Sequence, residues 1–225
     1  MKPFWLYLIF LLPASVFAQN EFRRFAVGAN AGITTSKNDL SSSKYKFAFG
    51  GTADFYFSRY VNIGAELQKG KLAGSESASP GRYFVNDYKA ATAYGKVHLG
   101  QFMGNSGRYH FNDEGIINRF IKGIYAGSGI GLISSSQVSI NRKPVPGREA
   151  LFRGANWNKE LVIPVLAGVD LQTSREPRVI LSMKFQANFL MGDNMDGYYI
   201  PGSGNDMYGV FNIGLKYMFG PLVQY

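Results

Sequence analysis

The sequence predicts an all-β fold: an antiparallel up-and-down transmembrane β-barrel, most simply of eight strands, with ten as the alternative count. Three observations carry this. Segments of roughly ten residues alternate apolar and polar side chains, as strands do with one face in lipid and the other in a lumen. Phe and Tyr crowd the apolar parity, while Lys and Glu stand mid-strand on the other. No apolar run beyond residue 18 approaches the roughly 20 residues of a membrane helix, although 46% of residues are hydrophobic, 15% aromatic and 27 are glycine. A soluble sandwich would bury the apolar face and leave its strand edges to manage.

Residues 1–18 read as a secretory signal peptide: Lys2, an apolar run from Phe4 to Leu12, and Val16 and Ala18 at the small-residue positions, with cleavage expected after Ala18. Pro13 breaks the run too early for an anchor. Residues 19–225 then form one barrel domain. There is no cysteine, hence no disulfide and no lipid-attachment thiol. The formal charge of +9 becomes +8 once Lys2 leaves with the signal, and anionic headgroups explain it better than nucleic acid.

The strands follow in order. Phe25–Thr34 sends Phe25, Val27, Ala29, Ala31 and Ile33 outward. Lys44–Phe57 alternates most cleanly, with Tyr45, Phe47, Phe49, Phe55 and Phe57 opposed to Lys44, Lys46, Thr52 and Asp54. Val61–Lys69 sets Ile63 and Leu67 against Glu66 and Gln68. About Asp87–Gln101, Val97 and Leu99 face lipid, with Tyr94, Lys96 and His98 inside. In Ile121–Ser134, Gly127, Gly129 and Gly131 face inward and leave space for Tyr94 or Tyr125 to fill. Leu161–Gln172 contains Pro164, which argues for a bulge or a local distortion. Val179–Met191 turns Ser182, Lys184, Gln186 and Asn188 inward. Met207–Tyr225 closes the barrel, with Phe211, Ile213, Leu215, Tyr217 and Phe219 outward and the same parity running on through Pro221 and Val223 to Tyr225. Tyr45, Phe57, Tyr60, Tyr217 and Phe219 fall where an interfacial girdle belongs.

Short linkers (58–60, 173–178) alternate with long ones (36–43, 72–83, 135–159, 192–206), the asymmetry of periplasmic turns and outer loops. The 102–120 connection is long on the short side. A helical turn capped by Asn112 or Asp113 is expected there. Segment 135–159 carries the basic cluster Arg142, Lys143, Arg148 and Arg153 around Pro144–Gly147. It either projects as a hairpin, suited to acidic polysaccharide, or adds two strands.

A barrel of about eight strands has an interior just wide enough for side chains. Asp54, Glu66, Lys96, His98, Asp170, Lys184 and Lys216 are the candidate lumen residues. Buried charges must pair, so mutual neutralisation is the expected state, with a gated ion path as the alternative. An enzyme is not expected. The only histidines are His98 and His110, and Gly100 stands where a His-x-Ser hydrolase would carry serine. Asp193, Asn194, Asp196 and Asp206 lack a neighbouring histidine, and calcium binding by the first three is the remaining thought for that loop. No cofactor motif is present.

The Phe17-Ala18-Gln19 region, the glycine-rich alternating strands and the ending Gly214-Leu215-Lys216-Tyr217-Met218-Phe219 resemble the small outer-membrane β-barrel proteins of the Bacteroidota, PorT-like proteins among them. Barrels of the OmpA/OmpX type are similar in size. The resemblance implies residence in the bacterial outer membrane, in a group whose barrels serve as scaffolds, adhesins or accessory parts of secretion machines. With the lumen charges expected to pair and no catalytic constellation in the sequence, a structural or interaction scaffold is the leading expectation. The expected partners are outer-membrane lipid and lipopolysaccharide, the barrel insertion machinery, and a periplasmic or secretion-system protein. A narrow channel is the second expectation; a lipid-modifying or proteolytic enzyme is a distant third.

Overall fold

Hydrocarbon offers no water to backbone amides and carbonyls, so a membrane-crossing strand must be paired along both edges. In the computed structural model every long strand is. The structure describes residues 22–37, 42–76, 81–103, 115–142, 154–172, 178–192, 194–198 and 206–223. The strands are β1 (Phe22–Lys37), β2 (Ser42–Lys44), β3 (Lys46–Ser58), β4 (Val61–Ser75), β5 (Tyr83–His98), β6 (Ile124–Asn141), β7 (Trp157–Gln172), β8 (Val179–Leu190) and β9 (Met207–Val223), with helix α1 (Ile116–Gly123) before β6. They pair antiparallel in the order β2-β4-β3-β1-β9-β8-β7-β6-β5, and a β4–β5 ladder closes the ring. β2 is a stub of 3 residues on the end of β4, so the wall has eight staves among the described residues.

The stagger of the ring follows from the register. Directly opposed residues run from Ser134 on β6 through Lys89, Lys69, Phe49, Ala31, Ile213, Met183 and Val169, and return to β6 at Ile124, ten residues away. Such a stagger requires tilted strands, typically by about 35–45°. The apolar parity faces out, with Phe49, Leu67, Ile130, Phe185 and Leu215 all exposed. Phe25 stacks on Phe219 at 5.8 Å and meets Phe55 edge-on at 5.4 Å, a patch near the periplasmic rim.

Several expectations change. The strands are longer than their alternation alone marks: β4 runs to Ser75 and β5 starts at Tyr83. β6 starts at Ile124 instead of Ile121, because α1 occupies the preceding residues. The helix has Gly115 at its N-cap and no side-chain cap bond; Asn112 and Asp113 lie outside the described residues. Pro164 makes no bulge. The β6–β7 register is the same on both sides of it, Ser128 opposite Val165 and Gly131 opposite Val162, with a gap in the ladder between. Proline has no amide to donate, and the Ser128 hydroxyl donates to the Pro164 carbonyl at 3.0 Å instead. The segment 135–159 adds no wall strands among the described residues, since β6 and β7 simply extend and pair, Ser136 opposite Trp157.

The closing strand holds the largest correction. Phe25 opposes Phe219 but Arg23 opposes Leu222, so β9 carries one extra residue. Gly220 sits in this bulge at φ +92°, a left-handed conformation that glycine adopts freely. The bulge inverts the parity beyond it. Leu222 is exposed, and Val223 packs inward against the buried group of Phe22, Ala26, Tyr56, Ile180 and Met218. The outward run from Phe211 therefore ends at Phe219. Tyr225 lies outside the described residues. Tyr60 also leaves the expected girdle: it is buried, its ring filling the space over Gly100.

Candidate functional site

The inward face divides the lumen into three levels. At the extracellular end Leu72, Phe84, Tyr88, Ile133, Val162 and Tyr208 form an apolar layer. Segment 194–198 caps this layer from above, with Met195 and Tyr198 both 1% exposed. Met195 N–H donates to Asp206 at 2.9 Å, and its carbonyl accepts from Asn86 and Gln137. The Tyr198 hydroxyl reaches the carbonyls of Asn141 at 2.9 Å and Tyr83 at 3.2 Å. Asp196 accepts from the Tyr198 amide, so Asp196 and Asp206 brace the cap. Asp193 lies outside the described residues.

The middle level holds the charges, and all seven candidate lumen residues are inside and buried. Period-two alternation is enough to put them there; how they pair depends on the ring. Lys216 on β9 contacts Asp54 on β3 at 2.8 Å and Asp170 on β7 at 3.6 Å. Asp170 reaches His98 on β5 at 3.3 Å. Four alternate staves are thereby linked by one chain of polar contacts. The second carboxylate oxygen of Asp54 accepts from Asn62 at 2.9 Å and from Tyr94 at 2.8 Å. On the other side Lys184 bonds Glu66 directly across the ring, and Asn30 donates to the remaining Glu66 oxygen at 2.9 Å. Lys96 lies between two aromatic faces, 4.7 Å from the Tyr94 ring and 4.6 Å from that of Tyr125. This is a cation–π arrangement.

The two tyrosines do not fill the space over Gly127, Gly129 and Gly131, as the sequence led us to expect. A Cβ at Gly129 would meet the Ala93 carbonyl at 2.0 Å, and one at Gly127 would meet the Gly95 carbonyl at 2.3 Å. Those glycines accommodate the adjacent strand β5. The Tyr94 ring lies over Gly64 and the Tyr125 ring over Gly168.

The periplasmic level is the apolar group around Phe22, Tyr56 and Met218. Beside it a cavity of about 50 Å³ opens between Tyr56, Arg59, His98, Arg119, Lys122 and Asp170. A second void, of about 10 Å³, lies next to Lys96, Lys184 and Lys216, a size that holds one water at most.

The chain matches the model of the outer membrane protein beta-barrel domain across residues 4–224. It belongs to that family. The barrel therefore resides in the bacterial outer membrane. Sequence comparison with curated proteins gives no match. Among solved structures, the fold is similar to that of Neisserial surface protein A, at a TM-score of 0.53 and 13% identity, covering 87% of this chain and 97% of that one. Ail of Yersinia pestis, solved with the heparin analogue sucrose octasulfate, is 11% identical over 88% of this chain and 100% of its own, at a TM-score of 0.47. OprG of Pseudomonas aeruginosa is 11% identical over 92% and 100%, at 0.39.

The chemistry of this outer-membrane barrel's interior can be stated residue by residue. His98 Nδ1 faces the Tyr60 carbonyl at 3.0 Å and Nε2 faces Asp170. The Ser182 hydroxyl donates to Asp170, not to His98. A serine nucleophile needs the base itself within reach, so this trio positions side chains without activating an oxygen. Among the described residues no cluster of three or more metal-ligating side chains occurs. Of the basic surface cluster only Arg142 is described. It donates to the carbonyls of Gly197 at 2.8 Å and Ala155 at 3.3 Å, tying β6 to the cap. Lys143, Arg148 and Arg153 lie outside the described residues. The cap was not foreseen as a plug. Its signal was the Met195-Tyr198 pair of large apolar side chains inside an otherwise acidic, glycine-rich stretch.

Proposed function

We propose that this barrel is a non-conducting scaffold of the outer membrane whose work is done by its surfaces. The observation that carries the reading is the internally neutralised lumen. Lys216 and Lys184 are each held by buried carboxylates, and apolar layers lie above and below them. A permeant ion would have to separate a desolvated pair, which is costly without a replacement partner. Lipopolysaccharide around the outer rim and a periplasmic or secretion-system protein at the other end are the partners we assign to it. Exposed Phe102, Ile116 and Ile117 beside the periplasmic mouth support the second. The glycine-rich strands and the ending Gly214–Phe219 support placing it with the PorT-like barrels of the Bacteroidota.

The decisive experiment is conductance of the folded protein in planar bilayers. We expect no discrete channel openings for the native chain. Stable unitary currents that change with Lys216→Met would overturn the scaffold in favour of a channel.

A further inference from the structure

Lys69 on β4 and Lys89 on β5 are directly opposed across the β4–β5 ladder. Both lie on the lipid-facing parity, in line with Leu67 and Ala91 below them, and both are exposed. Like charges directly opposite one another are destabilising in a sheet. Among the described residues neither lysine has an ion-pair partner. The nearby carboxylate, Asp87, is held by Lys71 at 2.9 Å. An unmatched dication on the outside of a membrane protein calls for an anion from the membrane.

Height identifies which anion. At about 3.3 Å per residue and a tilt near 40°, Lys69 stands roughly 20 Å above Val61, at the periplasmic start of β4. Lys89 stands at the same distance above Val97 by the same register. The apolar band of an outer-membrane barrel is about 25 Å tall, and lysine stems snorkel upward to its edge. The next stave agrees: Leu132 is the last apolar outward residue of β6 before Ser134, which opposes Lys89. The two ammonium groups thus reach the headgroup boundary of the outer leaflet. Beneath them Ala91, Ala93 and Gly95 keep β5 low between Ile63 and Leu67 on one side and Ile130 and Leu132 on the other, so an acyl chain hanging from that headgroup meets no obstruction.

We propose that Lys69 and Lys89 clamp the phosphate of an outer-leaflet glycolipid, of the lipid A class, against the β4–β5 wall. The recognition is electrostatic: two ammonium donors on one phosphate, with Lys71 and Asp87 marking the upper edge of the site. It rests on the assignment of lipopolysaccharide as a partner at the outer rim, and not on whether the lumen conducts.

The test is native mass spectrometry of the full-length folded protein in zwitterionic micelles, titrated with bisphosphorylated lipid A, with enzymatically dephosphorylated lipid A, and with phosphatidylglycerol. The variants are Lys69→Gln/Lys89→Gln and, as a control from the same face, Lys37→Gln. Retained heat-modifiable gel migration reports that each is folded. We expect the double variant to lose about thirty-fold in affinity for bisphosphorylated lipid A, roughly fivefold for each lysine removed from an anionic surface. Lys37→Gln should match the native chain, and dephosphorylated lipid A should bind native and double-variant protein equally weakly. Undiminished binding by the double variant, equal binding of the dephosphorylated lipid, or equal loss in Lys37→Gln would overturn the site. Phosphatidylglycerol bound as tightly as lipid A would overturn the assignment to the outer-leaflet glycolipid.

Discussion

Lys184→Met is the sharpest perturbation of the lumen. Lys184 and Glu66 side chains are 6% and 1% exposed, and the pair joins opposite staves of the ring. Removing the cation leaves the Glu66 carboxylate buried with the Asn30 amide as its remaining described donor. Breaking one half of a buried ion pair typically costs about 3–5 kcal/mol, whereas replacing both halves by neutral groups of similar size is often close to neutral. We therefore expect Lys184→Met to lose about 4 kcal/mol and the double variant Glu66→Gln/Lys184→Met to lose only about 1 kcal/mol. The assay is reversible urea unfolding in phospholipid vesicles, followed by tryptophan fluorescence and gel migration. With an m-value of about 2 kcal/mol/M, the single variant's midpoint falls by about 2 M and the double variant recovers most of it. A single variant within 1 kcal/mol of the native chain, or a double variant no better than the single, would refute the view that these charges are structural partners.

Other outcomes follow from the same geometry. Tyr198→Phe removes the hydroxyl shared by the Tyr83 and Asn141 carbonyls and should cost about 1–2 kcal/mol; limited proteolysis of the cap should quicken, and unchanged cleavage would show that the cap is held otherwise. Gly64→Ala places a Cβ 2.4 Å from the Asp54 carboxylate and 2.6 Å from the Tyr94 ring. Overpacking of about 1–3 kcal/mol should lower the folded fraction on gels. At the outer rim the Arg82 guanidinium hydrogen-bonds Glu76 and holds its carboxyl below the usual range. A depressed folded value means stability present above the unfolded carboxylate value of about 4.3 and lost as the pH falls through the folded one. Glu76→Gln should thus cost under about 1 kcal/mol at neutral pH and nothing in strong acid, by thermal melts at both. Mass analysis of exported protein should find Gln19 at the mature N-terminus.

Much of this was legible from local pattern. A strand sends alternate side chains to opposite faces whatever it pairs with, so Asp54, Glu66, Lys96, Asp170, Lys184 and Lys216 declared themselves inward before any partner was known. The same rule misled at β9. One extra residue at Gly220 reverses the parity, and Gly-Pro in a sequence does not say whether a strand stops or bulges. Val223 therefore faces the lumen where alternation had placed it in lipid. Helix α1, with 8 residues, is too short to separate by period from the strand that follows.

Wherever a strand runs without a bulge, the sequence by itself determined which side chains meet lipid and which meet the lumen, because that depends only on the two-residue period. The tertiary structure decided who meets whom. Glu66 and Lys184 are 118 residues apart. They touch because the ring closes with a ten-residue stagger that sets their staves opposite each other at one height. Between neighbouring strands the register decided in the same way: it laid Tyr94 over Gly64 and Tyr125 over Gly168, sandwiched Lys96 between their rings, and set Lys69 against Lys89 on the outer wall. Contacts across a barrel are fixed by shear and tilt, quantities that belong to the closed ring and to no single strand.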